Sequence, residues 1–442
     1  MITEAAQKTE SKFASQAIPL VAFEDVWCRI SDRYDGDGIG EIVAWVAGDI
    51  DERKIRTALD MLQMRHPKLR ARVATKEKNS LVFEFPDPPP QIPLEIRDVE
   101  SSATWLDDAY EAFFQKLALA TGPMCRVLVM RDRAKKSCCI VFIAHHSIID
   151  ASCLLAIVDD LLGYYRQIEE CGPSVPSVVS RSFVSFERAP ERTSFLRTIG
   201  LILIAIKAFF IRSQCLWVTL PAARRDPPRP WIWRHEFSPD ETSKILRRCR
   251  EERTSFTSVL QTASAKALAG VLNEERIRIE YSIYFDIRHL LESPDGSVTK
   301  QDLGCFVSSF GNNCRIERST PFWDAARAVW EKMQDFVLNQ GPETYFNAVR
   351  FAKGRSPKIP LKRDTMTINY FGVQKLNGDY GSLQLEGYLT MAKGAIFGAS
   401  INVWAVVYRG KLSIWIVLND LPEEFSKKYW RSVLQQFRTI ID

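Results

Sequence analysis

The sequence predicts an α/β protein of the α+β kind in two lobes, and three observations carry that prediction. Apolar runs of strand character alternate with segments whose apolar residues recur at helical spacing. At 442 residues the chain exceeds one ordinary core, and roughly 150 residues per domain implies two or three compact units. Between the halves lies Pro221–Pro230, a linker by composition, with four prolines and three arginines. The expected division is an N-terminal lobe over 1–185, a crossover and linker over 186–230, and a C-terminal lobe over 231–442.

The elements follow in order. Glu41–Ile50 is strand-like, and Asp51 is placed to cap a helix with apolar positions Ile55, Leu59, Leu62 and Met64. Pro67 ends that helix, and Leu69–Val73 reads as extended. Strands are expected at Leu81–Phe85 and Leu94–Val99, and a helix over Trp105–Leu119. Gly122-Pro123 breaks the chain before strands Met124–Met130 and Ser137–Ala144, and an amphipathic helix covers Ala151–Ile168. The Ser/Pro/Gly-rich Cys171–Ser182 closes the first lobe. The second opens with strand Trp231–Phe237, then a helix announced by Ser238-Pro239-Asp240-Glu241. Further helices are expected at Ser258–Leu272, Pro321–Asn339 and Glu423–Ile441, with strands at Ile277–Ile287, Ser400–Tyr408 and Lys411–Leu418.

Hydrophobic content of 46% and charged content of 26% are those of a globular protein. A net charge of +5 suits anionic substrates, but no long Lys/Arg run supports nucleic-acid binding. Ten cysteines without CxxC spacing read as reduced core thiols, and no third ligand stands at a zinc spacing beside the histidines, so no metal is expected. Residues 1–15 lack an apolar signal core, which makes a cytoplasmic protein the default. Apolar Thr198–Val218 is interrupted by Lys207 and Arg212, and a cation inside a spanning helix costs ~3 kcal/mol. A buried crossover helix is therefore expected there, with peripheral membrane contact or lipid-chain binding as the alternative. Asp35-Gly36-Asp37-Gly38-Ile39-Gly40 matches neither a calcium loop nor a nucleotide fingerprint and reads as an exposed acidic turn.

Chemistry concentrates at Val141–Asp150, where an apolar strand delivers His145 and His146 into a turn and Asp150 follows four residues later. Imidazole, with an ordinary pKa of about 6.5, exchanges a proton near neutrality. His146 is the candidate general base. His145 should point to the opposite side of the strand and serve structure.

His145-His146-Ser147-Ile148-Ile149-Asp150-Ala151 resembles the HHxxxDG motif of the condensation-domain and CoA-dependent acyltransferase superfamily, departing at Ala151. Other strings appear in the family's order. Arg65-His66-Pro67-Lys68-Leu69-Arg70 resembles RHPxLR, Gly122-Pro123 the family's GP, and Phe285-Asp286-Ile287-Arg288 the VDLR strand. Gly304-Cys305-Phe306-Val307-Ser308 is similar to LGNFVS, and Asn369-Tyr370-Phe371-Gly372 to SNLG. No match to DFGWG is present, which disfavours the plant acyltransferase branch.

The resemblance implies two lobes like chloramphenicol acetyltransferase, meeting in a V with a tunnel through the seam. It implies transfer of an acyl group from a CoA or phosphopantetheinyl thioester to a hydroxyl, with no bound cofactor. Partners would be the CoA or carrier-protein donor and a small-molecule or lipid-like alcohol; two lobes completing one seam make a monomer the expected state. Asp150 would pair with Arg288 rather than orient the base, and Ser308 and Asn369 would contact substrate. Tyr281 and Tyr284 are candidates for the channel lining, with core packing the stronger reading, and Arg224, Arg225 and Arg229 for phosphate contact or a solvated linker. Alanine at 151 should bring slight strain if its φ is positive. Amide formation with an amine acceptor, a non-catalytic carrier- or lipid-binding role, and dehydration or cyclisation of a tethered substrate stay open.

Overall fold

A computed structural model of the protein describes residues 17–34, 36–101, 104–172, 178–186, 220–221, 229–293, 296–341, 343, 346–347, 349–355, 365–376, 378–393 and 399–442. The apolar Thr198–Val218 and residues 222–228 of the linker lie outside them. Helices are α1 (Ala22–Arg33), α2 (Glu52–Arg65), α3 (Trp105–Phe114), α4 (Ala151–Cys171), α5 (Pro239–Glu251), α6 (Phe256–Leu272), α7 (Phe322–Asp335) and α8 (Glu423–Ile441). Strands of the first half are β1 (Ile18–Pro19), β2 (Ile39–Ala47), β3 (Arg72–Lys76), β4 (Ser80–Glu84), β5 (Leu94–Asp98), β6 (Cys125–Asp132) and β7 (Ser137–His145). The second half contributes β8 (Trp231–Glu236), β9 (Arg276–Asp286), β10 (Glu292–Ser293), β11 (Gly296–Ser297), β12 (Val307–Glu317) and β13 (Met366–Gln374). It ends with β14 (Asp379–Tyr380), β15 (Leu383–Lys393), β16 (Ile401–Tyr408) and β17 (Lys411–Leu418).

Local chemistry sets the helix ends. Asp51 accepts the Lys54 N–H at 2.9 Å and opens α2. Ser238 accepts from Glu241 N–H at 3.3 Å while Glu241 accepts from Ser238 N–H at 2.8 Å, a capping box at α5. Two expectations need correction. The helix expected over Trp105–Leu119 stops at Phe114, because the Arg126 guanidinium takes the carbonyls of Ala112, Gln115 and Lys116. Leu69–Val73 is not one extended run. Pro67–Arg70 forms a 3-10 turn that Pro67 begins, and β3 follows.

Two six-stranded mixed sheets form the lobes, ordered β14-β15-β2-β7-β6-β5 and β12-β9-β13-β16-β17-β8. Residues 379–393, assigned by sequence to the second lobe, pair in the first sheet, where β15 runs antiparallel to β2. The alternation of buried Leu383, Leu385 and Gly387 with exposed Gln384 and Glu386 suits an edge-side strand.

The apolar hairpin β16–β17 is buried on both faces, and alternate residues serve different cores. Trp404, Val406, Tyr408, Trp415 and Val417 pack with the first lobe's core. Val403, Ala405, Val407, Leu412, Ile414 and Ile416 pack under α5, α6 and α8 with the second. Trp415 then joins the sheets directly, its indole N–H donating to the Thr390 carbonyl of β15 at 2.9 Å.

Replacing Trp415 with Phe removes the indole N–H with part of the buried ring and takes the donor from the Thr390 carbonyl. We expect a loss of about 1–3 kcal/mol in urea unfolding; an unchanged midpoint would show that this bond does not hold the lobes together.

Candidate active site

Strand β7 ends at His145, and the turn that follows divides the two histidines. His145 is fully buried. Its Nδ1 accepts the Ser147 N–H at 3.2 Å and lies 2.7 Å from Ser147 Oγ. Burial, with the neighbouring His146 adding to it, lowers its pKa to about 3, so it is neutral. His146 donates its backbone N–H to the Gly38 carbonyl at 2.7 Å and is only partly covered. The Trp27 indole stacks flat on its ring, centroids 4.6 Å apart and planes 5° from parallel.

The exposure that His146 retains opens into a cavity of about 550 Å³. Trp27, Asp150, Ala151, Tyr284, Ser308 and Asn369 share its lining. His146 Nδ1 is withdrawn from solvent and makes no hydrogen bond of good geometry with the described residues. Burial lowers the His146 pKa, against the charge of Asp150 and the carbonyls of His146 and Ile149 near the ring, which favour the proton.

Asp150 spends its carboxylate elsewhere. One oxygen accepts from the Cys153 N–H at 3.0 Å, capping α4, and from Arg288 Nη2 at 3.1 Å. The other accepts from Arg288 Nη1 at 2.8 Å and the Phe306 N–H at 3.0 Å. Burial alone would raise the Asp150 pKa; Arg288 and the two backbone donors outweigh it and hold the carboxyl below its ordinary range. For Arg288, burial is the largest single effect and lowers the pKa, but Asp150, Cys153 and Asp286 together outweigh it and the pKa rises. Arg288 also donates to the Thr299 carbonyl at 3.0 Å and lies over the Phe306 ring at 4.8 Å. It sits in a 3-10 turn, Arg288–Leu290, just past the end of β9 rather than on the strand.

Ser308, on β12, and Asn369, on β13, reach the same cavity and are buried. Of the two tyrosines, Tyr284 lines it and Tyr281 packs in the second core. Arg229 pairs with Asp107; Arg224 and Arg225 lie outside the described residues.

Two further expectations change. Ala151 is the first residue of α4, without a positive φ, so the motif's missing glycine brings no backbone strain. The turn around residues 36–40 is not an exposed acidic loop. Asp37 and Gly38 are buried, and Gly38, at φ +84, supplies the carbonyl that holds His146. A Cβ on Gly38 would stand 3.0 Å from the Trp27 ring. Trp27, on α1, is not singled out by the sequence, and neither is the helix that carries it.

Residues 41–188 match the Condensation domain family model. No curated protein matches the sequence. Among solved structures, polyketide synthase associated protein 5 from Mycobacterium tuberculosis is similar over 97% of this chain and 99% of its own, with 16% identity and a TM-score of 0.67. The first condensation domain of the calcium-dependent antibiotic synthetase, solved with a substrate analogue, gives 13% identity and 0.68 over 97% of both chains. The TRI3 trichothecene 15-O-acetyltransferase from Fusarium sporotrichioides gives 12% and 0.68 over 96% of this chain and 95% of its own. The chain has the condensation-domain fold. Within this condensation-domain fold, the histidine turn and the Arg288 turn come from different lobes and meet beside one cavity.

Two outcomes follow. Arg288→Met leaves the Asp150 charge buried without its partner and should cost ~3–5 kcal/mol at pH 7. Because the folded pKa of Asp150 is depressed, the pair's contribution is present above the unfolded carboxyl pKa of about 3.9 and is lost as pH falls through the folded value. In the variant the burial that raises the Asp150 pKa is unopposed, so the difference between wild type and variant in denaturant unfolding should be largest at high pH and shrink as pH falls, beginning above the unfolded carboxyl pKa of about 3.9. Gly38→Ala meets both the positive φ and the Trp27 contact, and should lower kcat more than it lowers the melting temperature; equal activity would show that the stack is incidental.

Proposed function

We propose that the protein is an acyltransferase that moves an acyl group from a thioester, carried on CoA or a phosphopantetheinyl arm, to a hydroxyl, with His146 as general base. The observation that carries this reading is the partly exposed imidazole of His146 in the wall of a large cavity between the lobes. Nδ1 is withdrawn from solvent while the residue keeps partial exposure, so Nε2 is assigned the lone pair that faces the cavity and Nδ1 the proton. The lowered pKa keeps that lone pair free at neutral pH.

The chemistry balances without a covalent enzyme intermediate. Nε2 removes the proton of the acceptor hydroxyl as its oxygen attacks the thioester carbonyl. The tetrahedral intermediate collapses, the C–S bond breaks, and the imidazolium returns the proton to the departing thiolate. A thioester already has a good leaving group, so the assistance needed is on the nucleophile, about 10²–10⁴-fold. Asp150 and Arg288 hold the turn and stay out of proton transfer. Ser308 and Asn369 are the lining groups assigned to substrate contact.

His146→Ala should retain the fold by circular dichroism and lose thiol release from an acyl-CoA panel by about 10²-fold or more. In wild type the acid limb of kcat/KM should have its midpoint below pH 6.5, since the free base survives to lower pH than in an unperturbed histidine. Full turnover in the variant would reject the base. Faster product formation with matched amines than with alcohols would keep the base and replace the ester with an amide.

A further inference from the structure

Four polar groups set into the cavity wall stand apart from the chemistry of His146. They are Asn369 Nδ2 on β13, Tyr388 OH and Thr390 Oγ1 on β15, and Trp404 Nε1 on β16. Each is withdrawn from solvent and finds no hydrogen-bond partner among the described residues, and the four residues are 7, 3, 1 and 7% exposed. A buried donor left unpaired is costly and uncommon, so several lining one cavity point to a ligand.

The strands bring them to one corner. Asn369 and Trp404 are register partners across the parallel β13–β16 ladder, so they stand side by side on one face. Tyr388 and Thr390, two apart on β15, share a face of the opposing sheet. Trp415 ties the two pairs together. Its ring lies beside Trp404 with centroids 6.3 Å apart and planes 9° from parallel, and its N–H holds the Thr390 carbonyl. Phe371 flanks Trp404 on the same face at 5.8 Å, so the indole is fixed before any ligand arrives.

The donor inventory selects the ligand. An indole N–H and an amide NH₂ only donate, and the two hydroxyls donate or accept. An acceptor oxygen can satisfy any of the four. None of the four side chains is charged, so a neutral oxygen fits better than a carboxylate buried without a counter-ion. The rings around them favour a flat or lipophilic body.

Resting on the reading of this cavity as the substrate site, we infer that this corner recognises a neutral carbonyl or hydroxyl oxygen on an otherwise lipophilic substrate, remote from the reacting carbon. The enzyme would thereby select oxygenated lipophilic molecules over plain hydrocarbon chains.

Calorimetric titration of the full chain with octan-1-ol and with octan-1-ols carrying one ketone at successive positions tests this directly. At one or more positions the keto-alcohol should bind at least about fivefold tighter than octan-1-ol. That preference should fall towards unity in Tyr388→Phe and Thr390→Val, which keep the shape of the wall, and in Trp404→Phe, which removes the N–H together with part of the ring. Equal binding of all probes, a preference unchanged in the three variants, or no binding by any probe overturns the inference. His146→Ala should keep the preference while losing thiol release, which separates the two readings. A flat preference beside His146-dependent turnover sinks only this one, and a kept preference beside His146-independent turnover sinks only the base.

Discussion

The buried pair between Asp150 and Arg288 is the constraint on which the site depends. It is bidentate, at 2.8 and 3.1 Å, and it spans the two lobes. The same carboxylate caps α4 through Cys153 N–H and receives Phe306 N–H from the segment leading into β12. One side chain therefore fixes the start of a helix, the end of the histidine turn and the approach of the second sheet. A buried charge pair of this kind adds little net stability over an apolar replacement, but losing one partner is severe. Its value here is positional: with its oxygens engaged by Arg288, Cys153 N–H and Phe306 N–H, Asp150 is held away from the role of orienting the His146 imidazole.

The His146 environment follows from that frame. The strand's alternation sends His145 inward, where Ser147 fixes it and burial keeps it neutral. The turn then presents His146 to the cavity, held by the Gly38 carbonyl below and the Trp27 ring on its face. One wall of the cavity comes from β15, which joins the first sheet from the second half of the chain and is tied to β17 through Trp415.

Much of this was legible in the sequence wherever the signal was local. Asp51, Ser238 with Glu241, and Pro67 mark helix boundaries through groups that lie within a turn of them. The motif strings from residue 65 to 372 pointed to the fold, and they placed Asp150, Arg288, Ser308 and Asn369 together. What escaped was non-local. The strand Leu383–Lys393 is not among those expected from the sequence, and its alternation alone does not say which sheet accepts it. The end of α3 at Phe114 is decided by Arg126, beyond the helix, and the buried turn at Asp37 and Gly38 looks like surface by composition. Trp27 and the polar corner at Tyr388, Thr390 and Trp404 become visible only once the strands are packed.

The central claim is that a neutral imidazole faces the seam with its Nε2 unprotonated. Nuclear magnetic resonance titration of the chain carrying ¹³C,¹⁵N-histidine, with residue 146 assigned by its loss in the alanine variant, measures that claim without any substrate. The account predicts an Nδ1–H tautomer at pH 7 that protonates below pH 6.5. An Nε2–H tautomer, or protonation above pH 6.5, would contradict it.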